Sequence, residues 1–150
     1  MTQIRKAYAD TPRGQIHYRH TTLSNPSSSK PVLIFLHKSA SSSISMEVLM
    51  KHYTNLGYTT YAPDMPGFGS SSDPDASTES TIEQQGTQWY CKLYMQMFKD
   101  VGIWEGKRGV HILGHHSGAS LALQLGNLNP GIVKSVCLVG PSIVGAKQKT

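Results

Sequence analysis

The most constraining feature of the sequence is a continuous apolar run, Val32–Leu36, that lies between a proline and a histidine. The run has the length of one β-strand and is far shorter than the roughly 20 residues of a membrane span. A strand without polar alternation is typical of a parallel sheet that is covered on both faces. The segment therefore predicts a central strand of a buried sheet.

The rest of the chain alternates between strand and helix patterns around this central strand. The other predicted strands are Ile4–Ala9, Gln15–Thr22, Thr59–Asp64, Val110–His115 and Val133–Gly140, of which the first two form a hairpin. Three helices are predicted, of which the first is Met46–Leu56 and the last is Ser117–Leu128, with Leu121, Leu125 and Leu128 facing inward. The second is a long helix that contains Ile82, Trp89, Leu93 and Met97 and that has a capping box of Ser80 and Glu83 at its start. This alternation predicts right-handed parallel crossovers in a single α/β domain over residues 1–150, with a doubly wound, mostly parallel sheet.

Composition and charge indicate which partners and which cellular compartment to expect. The chain has 14 Lys and Arg against 9 Asp and Glu, but the basic residues are scattered, so we expect no nucleic-acid partner. The N-terminal residues are not followed by the apolar segment of a secretory signal, and no apolar run is long enough to span a membrane. We therefore expect a cytoplasmic location without membrane association. Cys91 and Cys137 lie inside predicted elements, which predicts two buried free thiols.

Polar residues follow three of the predicted parallel strands. His37 and Lys38 follow the central strand, Asp64 ends the next strand, and His115 with His116 ends the strand after that. In doubly wound sheets, ligands bind at the carboxyl ends of the strands. This edge is therefore the predicted functional site.

Three segments together resemble the α/β-hydrolase family, in the order that the family has. They are PVLIFLHKSASSS at 31–43, YAPDMPGFGSSSDP at 61–74 and VHILGHHSGASLALQL at 110–125. The first is similar to the strand and oxyanion loop, and the third to the nucleophile elbow with its helix. The resemblance implies an α/β-hydrolase fold and an enzyme that acts on a small, mostly apolar organic molecule without a cofactor.

The elbow of this chain departs from the family pattern GxSxG. Gly114 and Gly118 occupy the two glycine positions, and His116 stands where the family has serine. A register with Ser117 as nucleophile would place His115 in a position too tight for a side chain. The resemblance therefore implies His116 as general base or nucleophile and the Ser117 N–H as an oxyanion donor. An idle polar residue in a relic site is the alternative.

The remaining candidates each have a functional and a structural interpretation. Lys38 stands where the family has glycine, and it either assists the oxyanion site or is solvated. Asp64 either orients a histidine and accepts a proton or caps its turn. The family's strand order would bring His37, His115 and His116 together, which makes His37 a further catalytic candidate. His115 either contributes to the oxyanion and substrate-binding site or packs beneath the elbow. The spacing of the three histidines matches no established metal motif, so no metal is expected.

The function predicted from these residues is hydrolysis or a related proton transfer, elimination or cyclisation. A non-catalytic ligand-binding or partner-binding protein, or a truncated inactive product, remains the alternative. In the family, the last of the predicted strands is followed by a lid and by two strands that carry the catalytic acid and histidine. The sequence stops at Thr150, just past that strand, so we expect it to lack the lid and those strands and to form no standard triad. The apolar strand Val133–Gly140 would then have an open edge, which predicts a homodimer or higher oligomer.

Overall fold

The structure is a computed structural model that describes residues 3–21, 23, 29–105 and 108–142. Its strands are β1 (Ile4–Thr11), β2 (Gly14–Thr21), β3 (Val32–Leu36), β4 (Thr60–Pro63), β5 (Val110–His115) and β6 (Val133–Val139). They form one sheet in the order β1-β2-β4-β3-β5-β6, in which β1, β2 and β4 pair antiparallel and the other pairs are parallel. The predicted mostly parallel α/β sheet is confirmed, and Thr22, the last residue of the predicted second strand, lies outside the described residues.

Helices cover both faces of the central strand. The helices are α1 (Glu47–Asn55), α2 (Glu79–Gln85), α3 (Thr87–Asp100) and α4 (Ser117–Leu128), with short 3-10 turns at Ser43–Met46 and Ala76–Thr78. Ile34 and Leu36 of β3 belong to a core with residues of α3 and α4, whereas Phe35 packs with Met46 and Met50 at α1. The apolar run of β3 is continuous because both of its faces are buried, as predicted.

The prediction of one long second helix with a capping box is wrong. Gly86 has φ 54° and ψ −128°, and this left-handed backbone separates α2 from α3. Ser80 lies inside α2, and the N-cap residue Thr78 forms no side-chain capping bond. The apolar pattern hid the break because Ile82 of α2 and Trp89 of α3 have the spacing that one continuous helix would give them. In the structure, α2 buries none of its residues.

Two expectations about burial, those for Leu128 and Cys137, are also wrong. Leu128 ends α4 and Leu56 lies just after α1, and both side chains are exposed. Cys137 is exposed, whereas Cys91 is buried as predicted. Most of β6 is exposed, because β6 is the last strand in the sheet and α1 does not reach it.

No helix in the described ranges is both long enough and apolar enough to cross a lipid bilayer.

Candidate active site

The turn between β5 and α4 places His116 at its apex. His116 has φ 54° and ψ −112°, a strained conformation for a residue with a side chain. Its N–H donates to the Val139 carbonyl at 2.9 Å, and its carbonyl accepts the Ala119 N–H at 3.0 Å. The side chain is exposed. A strained strand-to-helix turn that presents one side chain is the geometry of a nucleophile elbow.

Close backbone packing explains why the elbow pattern has glycine at two positions. A Cβ on Gly114 would collide with the backbone of Gly118, and a Cβ on Gly118 would collide with the carbonyl oxygen of Leu36. These close approaches let α4 begin directly against β5 and β3. The spacing of Gly114, His116 and Gly118 therefore matches the packing of the turn.

The imidazole of His116 contacts a residue that the sequence analysis missed. His116 Nε2 lies 2.9 Å from Oγ of Ser142, which follows β6. β5 and β6 run parallel with His115 opposite Val139, so residues that follow the two strands lie at the same edge of the sheet. That register is the signal that could have indicated Ser142.

Ser117 joins the elbow to the loop after β3. Its Oγ accepts the Ser39 N–H at 2.6 Å and the Ser39 hydroxyl at 2.8 Å. Because both lone pairs of Oγ are then engaged, the Ser117 hydroxyl proton is left to donate. The Ser117 N–H stands in the first turn of α4, where backbone N–H groups have no acceptor within the helix. Ser117 thus offers donors at its N–H and its O–H beside His116.

His37 is buried, and both of its ring nitrogens contact backbone groups. Nδ1 lies 2.7 Å from the Lys38 carbonyl oxygen, to which it donates, and Nε2 accepts the Met65 N–H at 2.8 Å. Burial lowers the pKa of His37, against the opposing effects of the Lys38 carbonyl and Asp64. A neutral His37 therefore fastens the loop after β3 to the loop after β4.

The Asp64 carboxylate is also buried and accepts three hydrogen bonds. Oδ1 accepts the Ser43 N–H at 2.6 Å, and Oδ2 accepts the Ser70 N–H at 2.9 Å and lies 2.8 Å from His17 Nδ1. Burial alone raises the pKa of Asp64, but hydrogen bonds from Ser43, Ser70 and His17 outweigh burial and hold that pKa below its ordinary value. His17 was missed by the sequence analysis, since its contact with Asp64 depends on the pairing of β2 with β4.

The other predicted site residues lie at the same edge of the sheet without forming a metal site. Lys38 is exposed, and His115 is half-buried at the end of β5. β3 lies between β4 and β5, so the strands that precede Asp64, His37 and His115 are neighbours, as predicted. Among the described residues, no three His, Cys, Asp or Glu side chains form a group that could hold a metal ion.

Comparison with known protein families gives a match over most of the chain. The sequence profile of a hydrolase family described as serine aminopeptidase, S33 matches residues 27–149. The chain belongs to this α/β-hydrolase family. No curated protein matches the chain in sequence.

Solved structures of the α/β-hydrolase fold are similar to this chain at low identity. A predicted CIB-like hydrolase from Thermoplasma acidophilum has a TM-score of 0.79 and 20% identity, and the match covers 97% of this chain and 66% of that one. An epoxide hydrolase from Vigna radiata has a TM-score of 0.78 and 18% identity, with 98% and 43% covered. A haloalkane dehalogenase variant from Bradyrhizobium elkanii has a TM-score of 0.73 and 21% identity, with 91% and 40% covered. The chain thus spans between 40% and 66% of the lengths of these three proteins.

Proposed function

We propose that this chain acts as an α/β-hydrolase-family enzyme on a small, mostly apolar organic molecule, with His116 as general base or nucleophile. The observation that carries the proposal is the strained apex of the elbow, which presents the exposed imidazole of His116 where the family pattern has its nucleophile. Hydrolysis, or a related proton transfer such as elimination or cyclisation, is the reaction class. An imidazole serves all of these reactions because it accepts and returns protons near neutral pH.

Ser117 supports the proposal as the source of charge stabilisation. Its N–H lies at the start of α4, and its hydroxyl is oriented by the two hydrogen bonds from Ser39. Fixed donors of this kind stabilise negative charge that develops on a substrate oxygen. In this proposal, the exposed Lys38 adds positive charge at the mouth of the site, and the half-buried His115 supports the turn from below.

His37 and Asp64 have a positioning role in this proposal. Both side chains are buried, and their polar atoms are occupied by Lys38, Met65, Ser43, Ser70 and His17. They therefore fix the loops beside the elbow and leave the proton transfers to His116.

The substrate classes for the test are chosen from the chemistry of the site and from the proteins with similar structures. Esters and lactones suit a base with oxyanion donors. Two neighbours are an epoxide hydrolase and a haloalkane dehalogenase, so epoxides and haloalkanes are included. Because the matching family is described as serine aminopeptidase, an amino-acid anilide is included as well.

The test measures turnover of this panel by the purified chain and by His116→Ala. We expect activity on at least one class and a loss of about 100-fold or more in His116→Ala, the range of general-base catalysis. His111→Ala is the matched control, since His111 also lies on β5 but contacts Ser135, away from the elbow. Circular dichroism confirms that both variants fold. Equal rates in the chain and His116→Ala would contradict the proposal, and no turnover by any protein would favour the non-catalytic alternative.

A further inference from the structure

The geometry points to Ser142 as a nucleophile that His116 activates for acyl transfer from small carboxylic esters. This inference rests on the proposed function, because it assigns His116 the role of general base. The Ser142 Oγ and the His116 Nε2 lie 2.9 Å apart, within the hydrogen-bonding range of a nucleophile and its base. With Nε2 as the acceptor, the Ser142 hydroxyl donates its proton along the path that catalysis requires.

A second serine–histidine pair in the same strands shows why the pair at the elbow is the reactive one. Ser135 Oγ lies 2.6 Å from His111 Nδ1, between β6 and β5. Both residues of this pair lie within β5 and β6, where the backbone N–H groups form the hydrogen bonds of the sheet. Ser142 and His116 instead lie beside the first turn of α4, where the Ser117 N–H is available to stabilise an oxyanion.

Ser117, which follows His116 in the chain, carries a competing hydroxyl, and its contacts favour a different role. Its Oγ accepts hydrogen bonds from the N–H and hydroxyl of Ser39, and no imidazole within the described residues accepts its proton. A hydroxyl without a base is a weak nucleophile. Ser117 therefore serves as the donor, and Ser142 as the attacking group.

The first half-reaction forms an acyl-enzyme. Ser142 Oγ attacks the carbonyl carbon of the ester, its proton moves to His116 Nε2, and the carbonyl electron pair moves to the oxygen that the Ser117 N–H contacts. When the oxyanion collapses, the bond from carbon to the alkoxy oxygen breaks. The departing alkoxy oxygen takes the proton from Nε2 and leaves as an alcohol, so the acyl group remains on Ser142.

The second half-reaction restores the enzyme. Water attacks the acyl carbon and gives a proton to His116 Nε2. Collapse of the second oxyanion breaks the bond to Ser142 Oγ, which takes that proton back, and a carboxylic acid leaves. The sum is one ester and one water converted into one acid and one alcohol, with no redox partner.

A fluorophosphonate probe tests this assignment, because its phosphorus accepts an activated serine oxygen and releases fluoride. The purified chain is treated with the probe, digested and sequenced by mass spectrometry. We expect one adduct at Ser142, which is lost in Ser142→Ala and His116→Ala. Ser135→Ala is the matched control and should keep both the adduct and the rate of p-nitrophenyl acetate hydrolysis.

The possible outcomes separate this inference from the proposed function. An adduct at Ser117 or His116, or full ester hydrolysis in Ser142→Ala together with loss in His116→Ala, would overturn the assignment of Ser142 and leave the role of His116 standing. Unchanged hydrolysis in both variants would overturn both. Ester turnover without any adduct would also contradict Ser142 as nucleophile.

Discussion

Asp64 Oδ2 lies 2.8 Å from His17 Nδ1 in the interior of the protein, and this contact joins β2 to the loop that follows β4. The other carboxylate oxygen accepts the Ser43 N–H, and Arg19 donates to the Ser43 hydroxyl at 2.7 Å. One carboxylate thus ties together three segments that are distant in sequence. The loops beside His116 are held by this junction.

Asp64→Asn should destabilise the chain by about 3 kcal/mol at neutral pH, because the amide cannot satisfy the donors that converge on the carboxylate. Urea unfolding followed by circular dichroism measures the change. Asp73→Asn replaces an exposed carboxylate in the neighbouring loop and should change stability little. Equal midpoints for the two variants would contradict the role of Asp64.

The pH dependence of stability should show two steps with the same sign. His37 has a lowered pKa when folded, so its contribution is full above the unfolded value of about 6.5 and declines as pH falls below it. Asp64 also has a lowered pKa, so its contribution is full above about 3.9 and is lost as pH falls through the folded value. Urea midpoints between neutral pH and pH ~3 measure both steps. Asp64→Asn should remove only the lower step, and an unchanged profile would refute the assignment.

Gly118→Ala should destabilise the chain by about 1–3 kcal/mol, although alanine is the better helix former. The reason is the carbonyl oxygen of Leu36, which a Cβ on Gly118 would strike. Thermal unfolding measures the change. Gly131→Ala is the control, since a Cβ there meets nothing within 4 Å. A stabilised Gly118→Ala would mean that α4 does not pack so closely on β3.

The two cysteines should differ sharply in reactivity. Cys137 is exposed on β6, whereas burial raises the pKa of Cys91 to about 12. A colorimetric disulfide reagent should therefore titrate one thiol per native chain quickly and the second only in denaturant. Cys137→Ser should remove the fast phase. Two fast thiols in the native chain would show that Cys91 of α3 is not buried against Leu121 of α4.

The edge of the sheet leads us to propose a homodimer. Among the described residues, no strand pairs with the outer side of β6, and Leu138 and Val139 are exposed there. An exposed apolar edge strand favours pairing with a second chain. Light scattering should give a dimer mass at micromolar concentration and a monomer mass for Leu138→Lys. A well-folded monomer of the unaltered sequence would disprove the dimer.

The sheet and the elbow could be predicted because their signals are local. The run Val32–Leu36 indicates a strand buried on both faces, and the spacing of Gly114 and Gly118 indicates a tight turn around His116. Both signals come from steric or hydrophobic demands on adjacent residues. The sequence order of strands and helices then determines which strands lie beside β3.

The polar contacts of the site could not be predicted in the same way. Ser142, Ser39 and His17 reach their partners across 26, 78 and 47 residues of sequence. These contacts depend on strand register and loop paths, which leave no pattern in any one segment. The break at Gly86 was missed for a different reason, since apolar spacing continued across it.

Chemical rescue is the measurement that most directly tests the role of His116. His116→Ala is assayed on the best substrate of the panel with increasing concentrations of free imidazole, beside His111→Ala and imidazole alone. We expect imidazole to restore part of the lost rate in His116→Ala beyond its own background and to leave the rate of His111→Ala unchanged. A His116→Ala rate that equals that of the unaltered chain, or one that imidazole raises no further than the background, would contradict a catalytic role for His116.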